Sequence, residues 1–222
     1  MTTWERIQRH TRLTKQEVEA GVADGPTFVP FEKGDDSDGG LGARWRRENP
    51  LVIDWSRPSV GLLRARAGGT DSRRKPYFRN ERLWGQGGVT WNNVTSYLRA
   101  RAVPEGTIFG HKAPTIAPTV GWLTPKSLMA LLNTNVADFI VRTFLGSRMM
   151  IEVGDLRRLP IPVLDDGSAR ALDELGGLVL AAKQRADEGA DSAPVVMYER
   201  EIISHVRDLY GFRSDDDLWV VR

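Results

Sequence analysis

Four stretches of this chain interleave arginine with aromatic and amide side chains: "ARWRREN" (43–49), "DSRRKPYFRNERLWG" (71–85), "TWNNVTSYLRAR" (90–101) and "GHKAP" (110–114). Guanidinium groups bind phosphate or pair bidentately with guanine, and an amide pairs in the same way with adenine. The residues expected to meet nucleic acid are Arg73, Arg74, Lys75, Arg79, Trp91, Asn92, Asn93, Arg99, Arg101, His111 and Lys112. Lys112, a point charge without a planar fork, fits a phosphate; the arginines and Asn92-Asn93 are the candidates for reading bases. Each residue type also has a plainer use. Trp45, Trp84 and Trp91 are of a type that more often packs a core, and paired asparagines often mark a turn.

Other chemistries find little support. Three histidines, His10, His111 and His205, are far apart and none sits in a ligand motif. No Glu-x-Lys tripeptide of a metal-dependent nuclease, no phosphate-binding glycine loop and no G-x-S-x-G elbow occurs. Asp35, Asp36 and Asp38 resemble the start of a calcium loop without its closing glutamate, which reads as a solvated loop.

The charge pattern agrees with the clusters. Over 222 residues the formal net charge is only +2, yet residues 40–112 carry +9 and residues 163–222 carry −6. A basic block beside an acidic tail suggests a polyanion-binding face and a separate packing element. Arginine outnumbers lysine 25 to 6, so part of that block reflects base composition of the gene and solvated surface. With no cysteine there is no disulfide and no cysteine-ligated zinc. No apolar run is long enough to span a bilayer and the first residues do not form a signal peptide, so a cytoplasmic protein without membrane contact is expected.

The elements that must position these residues can be placed. Thr14 to Glu17 fits a capping box that opens a short helix. "PTFVPF", "LVIDW" (51–55), "GGVTW" and "GTIFG" read as extended, with "LVIDW" a buried strand. Residues 56–75 look like a long loop or weak helix. "TPKSLMALLNTNVADFIVRTFLG" predicts one long helix, capped by Thr124 and ended by Gly146. "IEVGDLRRLPIPVL" follows as strand, turn and extended exit. Two helices close the chain, one from about Ser168 to Ala186 and one from Pro194 to Gly211. In "GTIFGHKAP" a strand running into a proline-bounded segment reads either as an ordinary surface turn or as a rigid loop that presents His111 and Lys112 to an anionic partner.

In this order the motifs resemble the C-terminal part of large adenine-specific (N6) DNA methyltransferases. These are the type IIG restriction–modification enzymes and the methyltransferase of the BREX phage-defence system. The resemblance covers roughly residues 25–213. It is carried by "FVPFEKG", "NPLVIDW", the run from Gly88 to Pro118, the "LLNT" helix, "GDLRRLPIP" and "EREIISHVRDLYGF". It implies an α+β fold: a mixed β-sheet target-recognition domain with a long central helix and a C-terminal helical tail. The expected units are a lead-in segment (1–24), the DNA target-recognition domain (25–164) and the helical tail (165–222). Implied too are a double-stranded DNA partner, a methyltransferase catalytic domain or subunit, and S-adenosylmethionine bound only on that separate domain. The Asn/Asp-Pro-Pro-Tyr/Phe signature of catalysis does not occur: the one Asn-Pro is Asn49-Pro50, followed by Leu51. No catalytic residue and no cofactor is therefore assigned to this chain. The alternatives are a protein-interaction or remnant subunit of such a system and a self-contained nuclease.

Overall fold

The computed structural model describes residues 13–25, 27–34, 44–47, 51–67, 81–93, 95, 97–110, 112–145 and 150–212. Two three-stranded sheets and a set of helices make an α+β fold. The first sheet has the order β2-β1-β5. Its strand β1 (Phe28–Glu32) pairs antiparallel with β2 (Leu51–Asp54) and parallel with β5 (Ile108–Phe109). The second is antiparallel: β3 (Gly88–Trp91) lies between β4 (Ala100–Val103) and β6 (Thr115–Ile116). The chain passes from β4 to β5 and back to β6, so residues 104–114 join the two sheets.

Strand β2 departs from the sequence expectation of a buried strand. Among the described residues it pairs only with β1, and its side chains are half-buried, with Val52 exposed. An edge strand keeps one side in water, which three apolar residues in a row do not reveal. The residue after it, Trp55, is buried, and its indole donates to Glu17 O at 3.0 Å. Helix α1 (Lys15–Ala20), opened by the expected Thr14–Glu17 capping box, and helix α2 (Arg57–Arg66) pack beside this sheet. The local core joins Val18, Val29, Trp55, Val60, Trp84, Ile108, Phe109 and Ala113. Trp84 meets Trp55 and Phe109 edge-on at 5.4 and 6.3 Å.

The central helical segment is present but bent by 65°. Helix α3 (Pro125–Leu132) has Thr124 as its cap; α4 (Asn135–Ile140) is capped anew by Thr134 and widens into a π-helical turn over Val141–Leu145. The cause is Asn133. Its amide pairs with the backbone of Ala100 in both directions, at 2.8 and 2.9 Å, as a strand residue would. Thr134 Oγ1 accepts from Ala137 N at 3.2 Å and donates to Leu131 O at 2.8 Å. Asn and Thr compete with helical backbone bonds in this way, so "NT" interrupts an apolar helical pattern that otherwise reads as continuous. Gly146, the expected stop, lies outside the described residues.

Residues 150–156 form no ladder strand. Ile151 is buried and the chain then turns into a short helix, α5 (Val153–Leu156). The two closing helices, α6 (Asp166–Asp187) and α7 (Ala193–Leu209), fall where periodicity put them. Leu172, Leu175, Val179, Ile202 and Val206 join β3, β4, α3 and α4 in one apolar cluster, which also takes in Trp45 and Trp91. The tail helices thus share a core with the second sheet. Among the described residues no single helix is long and apolar enough to cross a membrane.

Candidate nucleic-acid interface

The loop after β5 is held from several sides. Gly110 N–H donates to Glu32 O at 2.8 Å, Ala113 N–H closes a turn onto Gly110 O at 3.1 Å, and Thr90 Oγ1 donates to Pro114 O at 2.7 Å. Gly34 presses on its tip: at φ +87° it lies so close that a Cβ would sit 2.0 Å from Lys112 O. Only glycine combines that backbone angle with that approach. These contacts hold the backbone at Gly110 and at Lys112 to Pro114, and Lys112 and, after β1, Lys33 are both exposed. Among the described residues neither ammonium has a hydrogen-bond or ion-pair partner.

Behind the loop is a buried ionic node. Arg101, fully buried, clasps Glu32 with two bonds, Nε to Oε2 at 3.1 Å and Nη2 to Oε1 at 2.8 Å. Its Nη1 donates to Asn92 Oδ1 at 2.5 Å. Arg47 Nη2 adds a bond to Glu32 Oε1 at 2.7 Å and one to Gly34 O at 3.0 Å, and Gly34 N–H donates to Glu32 Oε1 at 3.1 Å. Burial alone would raise the Glu32 pKa; the Arg101 and Arg47 guanidinium groups outweigh it and hold the carboxyl below the usual range. The node ties β1 of one sheet to β4 of the other and stabilises the glycine that shapes the loop.

This geometry corrects several assignments. Arg101 does not face a partner: a guanidinium with a bidentate carboxylate and no solvent contact has no donor to offer phosphate. Asn92 is buried and accepts from Arg101. Trp91 is buried and its indole donates to Ile151 O at 2.9 Å, so it packs rather than stacks on a base. Arg99 is nearly buried, with its guanidinium 5.9 Å from the centre of the exposed Tyr97 ring. Asn93 is half-buried, beside Arg99 at the same end of the β3–β4 ladder. Arg73, Arg74, Lys75, Arg79 and His111 lie outside the described residues, as do Asp35, Asp36 and Asp38.

The "ARWRREN" arginines are also committed inside the fold. Arg44 pairs with Glu199 at 3.3 Å and donates to Asn133 O; Arg46 pairs with Asp187 at 2.6 Å; Arg47 belongs to the Glu32 node. Trp45 sits between them at φ +74°, uncommon for a bulky residue. Bonds to Ala100 O and Ala102 N hold its backbone, and its indole donates to Glu199. The sequence reading missed Glu32, Gly34, Lys33 and Arg47. A usable signal existed in "FVPFEKG": one carboxylate closing an apolar strand, followed by glycine. Of the expected DNA contacts, the described residues leave Lys112 exposed and Asn93 half-buried, with Arg99 beneath Tyr97. No protein-family model matches this chain, and no curated protein matches it significantly.

Proposed function

We propose that this chain is the sequence-specific DNA-binding, target-recognition module of an adenine-N6 DNA methyltransferase of a restriction–modification or phage-defence system. In this reading the chemistry is carried by a separate catalytic domain or subunit that binds S-adenosylmethionine, and the complex works in the cytoplasm. The observation that carries the proposal is the bracing of Gly110, Lys112, Ala113 and Pro114 after β5. A glycine contact and a buried carboxylate–guanidinium node hold these residues next to Gly34, with two exposed cations, Lys33 and Lys112, in the same region. Holding the backbone that carries Lys112 lowers the ordering cost when its ammonium meets phosphate. The resemblance of residues 25–213 to the recognition part of these enzymes supports the same reading. A second reading, an interaction subunit without DNA contact, is favoured by the commitment of Arg44, Arg46, Arg47 and Arg101 to carboxylates of the chain itself.

The two readings separate in a salt titration. Duplex DNA of mixed sequence is bound to the wild-type chain and to Lys33→Ala and Lys112→Ala, and affinity is measured at several salt concentrations. Each lost phosphate contact lowers the slope of log K against log salt by about 0.9 and weakens all sequences alike. Wild-type binding with both slopes unchanged removes the loop from the interface. No binding by the wild-type chain at low salt overturns the DNA reading.

A further inference from the structure

Between β3 and β4 the chain presents an aromatic ring to water. Tyr97 is 58 % exposed, although Leu98 and Arg99 next to it are buried. The backbone around it is held from several sides. Asn93 O accepts from Ile151 N at 2.7 Å, Thr95 O accepts from Arg142 Nη2 at 3.1 Å, and Leu98 N–H donates to Asp138 Oδ1 at 2.6 Å. Arg142 Nε also donates to Asp138 Oδ1 at 2.8 Å, so helix α4 and the turn after it brace the connection before and after Tyr97. Tyr97 N–H donates to Thr95 Oγ1 at 3.3 Å. The Arg99 guanidinium lies over one face of the ring, 5.9 Å from its centre. An aromatic side chain on a held backbone, with a cation under one face, offers its other face at a low ordering cost.

The charges nearby favour an anionic partner. Arg44 pairs with Glu199 and lies close enough to Arg99 and Asp138 to feel their charges. Three guanidinium groups, of Arg44, Arg99 and Arg142, thus stand with two carboxylates, and both carboxylates are engaged. Glu199 takes Arg44 and the Trp45 indole; Asp138 takes Arg142 and Leu98 N–H. The strand register adds Lys112 to the same end of the sheet. Thr90 lies opposite Thr115 in the antiparallel ladder and its Oγ1 bonds Pro114 O, so the chain enters β6 at the end where β3 leaves towards Tyr97. A ring stacks on a base through its π-face, and that face of a base is open only where the base is unpaired or unstacked. We infer that Tyr97 is a platform on which an unpaired base of a DNA strand stacks, on the face opposite Arg99. The inference rests on the DNA-binding reading above and adds to it a feature of the substrate, an exposed base. Tyrosine and arginine also anchor protein contacts; the arginine-rich setting and Lys112 favour a polyanion that carries π-faces.

Two duplexes of one sequence test this, one perfect and one with a single bulged 2-aminopurine. Affinity and 2-aminopurine fluorescence are measured for the wild-type chain, Tyr97→Phe and Tyr97→Ala. The wild-type chain should prefer the bulged duplex by about fivefold or more, the lower end of what one base stacked on an aromatic ring contributes. Tyr97→Phe should keep that preference and the fluorescence quenching that stacking produces. Tyr97→Ala should lose both while binding the perfect duplex within about twofold of wild type, since the phosphate contacts that dominate duplex binding are untouched. The variants should melt with the wild-type chain, because the side chain is exposed. Wild-type binding to both duplexes without preference overturns the inference and leaves the DNA-binding reading intact. So does a preference that survives in Tyr97→Ala, because another residue then holds the base. A wild-type chain that binds neither duplex at low salt overturns both readings, and leaves Tyr97 and Arg99 to a protein partner.

Discussion

Arg101 and Glu32 show what a buried ion pair does at the scale of a single residue. Two ions taken out of water have to recover their lost hydration from each other and from further hydrogen bonds. Glu32 does so with two guanidinium groups and one N–H; Arg101 does so with the carboxylate and Asn92. Removing one partner leaves an uncompensated charge, which costs about 3–5 kcal/mol. Arg101→Met should fall near the low end, about 3 kcal/mol in denaturant unfolding, because Arg47 stays with Glu32. The node also fixes a pH dependence. The folded Glu32 carboxyl titrates below its unfolded value, so its stabilisation is complete above the unfolded value, about 4.3. It is lost as pH falls through the lower folded value. Stability measured from pH 6 down to pH 3 should therefore fall, and Glu32→Gln should flatten that fall while lowering stability at pH 6. A variant with an unchanged acid limb would show that Glu32 is not the titrating group. The sequence revealed Arg101 as a strand cation but not its direction. On a strand every second residue faces the other way, and only the pairing of β4 with β3 and Trp45 decides which face is closed.

At the scale of the element, the loop between the sheets depends on one glycine. Gly34 and Gly25 share nearly the same backbone angle, φ +87° and +88°, but differ in surroundings. A Cβ at Gly25 meets nothing within 4 Å; at Gly34 it meets Lys112 O at 2.0 Å and Ala113 N at 2.9 Å. Gly25→Ala should cost only the strained angle, about 1–2 kcal/mol. Gly34→Ala should cost that and a further 1–3 kcal/mol from the forced displacement of the loop. Thermal melts of the pair measure the difference, and equal costs would mean that the loop yields freely. The bend at Asn133 belongs to the same scale. Helix existence was legible from Leu128, Leu131, Leu132 and Val136 at helical spacing, and the break was not. What breaks it is an amide that finds a strand backbone 33 residues away, and that is tertiary information. Trp45, Trp84 and Trp91 follow the ordinary habit of tryptophan, and all three are core residues here.

At the scale of the molecule, charge asymmetry was plain in the sequence and its destination was not. Carboxylates of the acidic tail close onto arginines of the basic block: Glu199 on Arg44 and Asp187 on Arg46. The partners are 141 residues apart or more, so no local pattern announces them. The tail helices share a core with the second sheet, and this packing brings their acids to Arg44 and Arg46. The net positive potential offered to a polyanion is thereby smaller than the composition of residues 40–112 implies, and it can be raised by releasing those arginines. Asp187→Asn with Glu199→Gln keeps shape and removes two negative charges. Part-buried pairs of this kind contribute about 1 kcal/mol each, so the melting temperature should drop by several degrees. If the freed Arg44 and Arg46 stay on a DNA-facing side, affinity for mixed-sequence duplex at 50 mM salt should rise by a factor of a few, with a steeper salt dependence. Stability and DNA affinity would then move in opposite directions, which a fold defect alone does not produce. If affinity instead falls together with the melting temperature, the arginines of residues 44–47 are structural ties, and under the proposed function the DNA contact falls to Lys33 after β1 and Lys112 after β5.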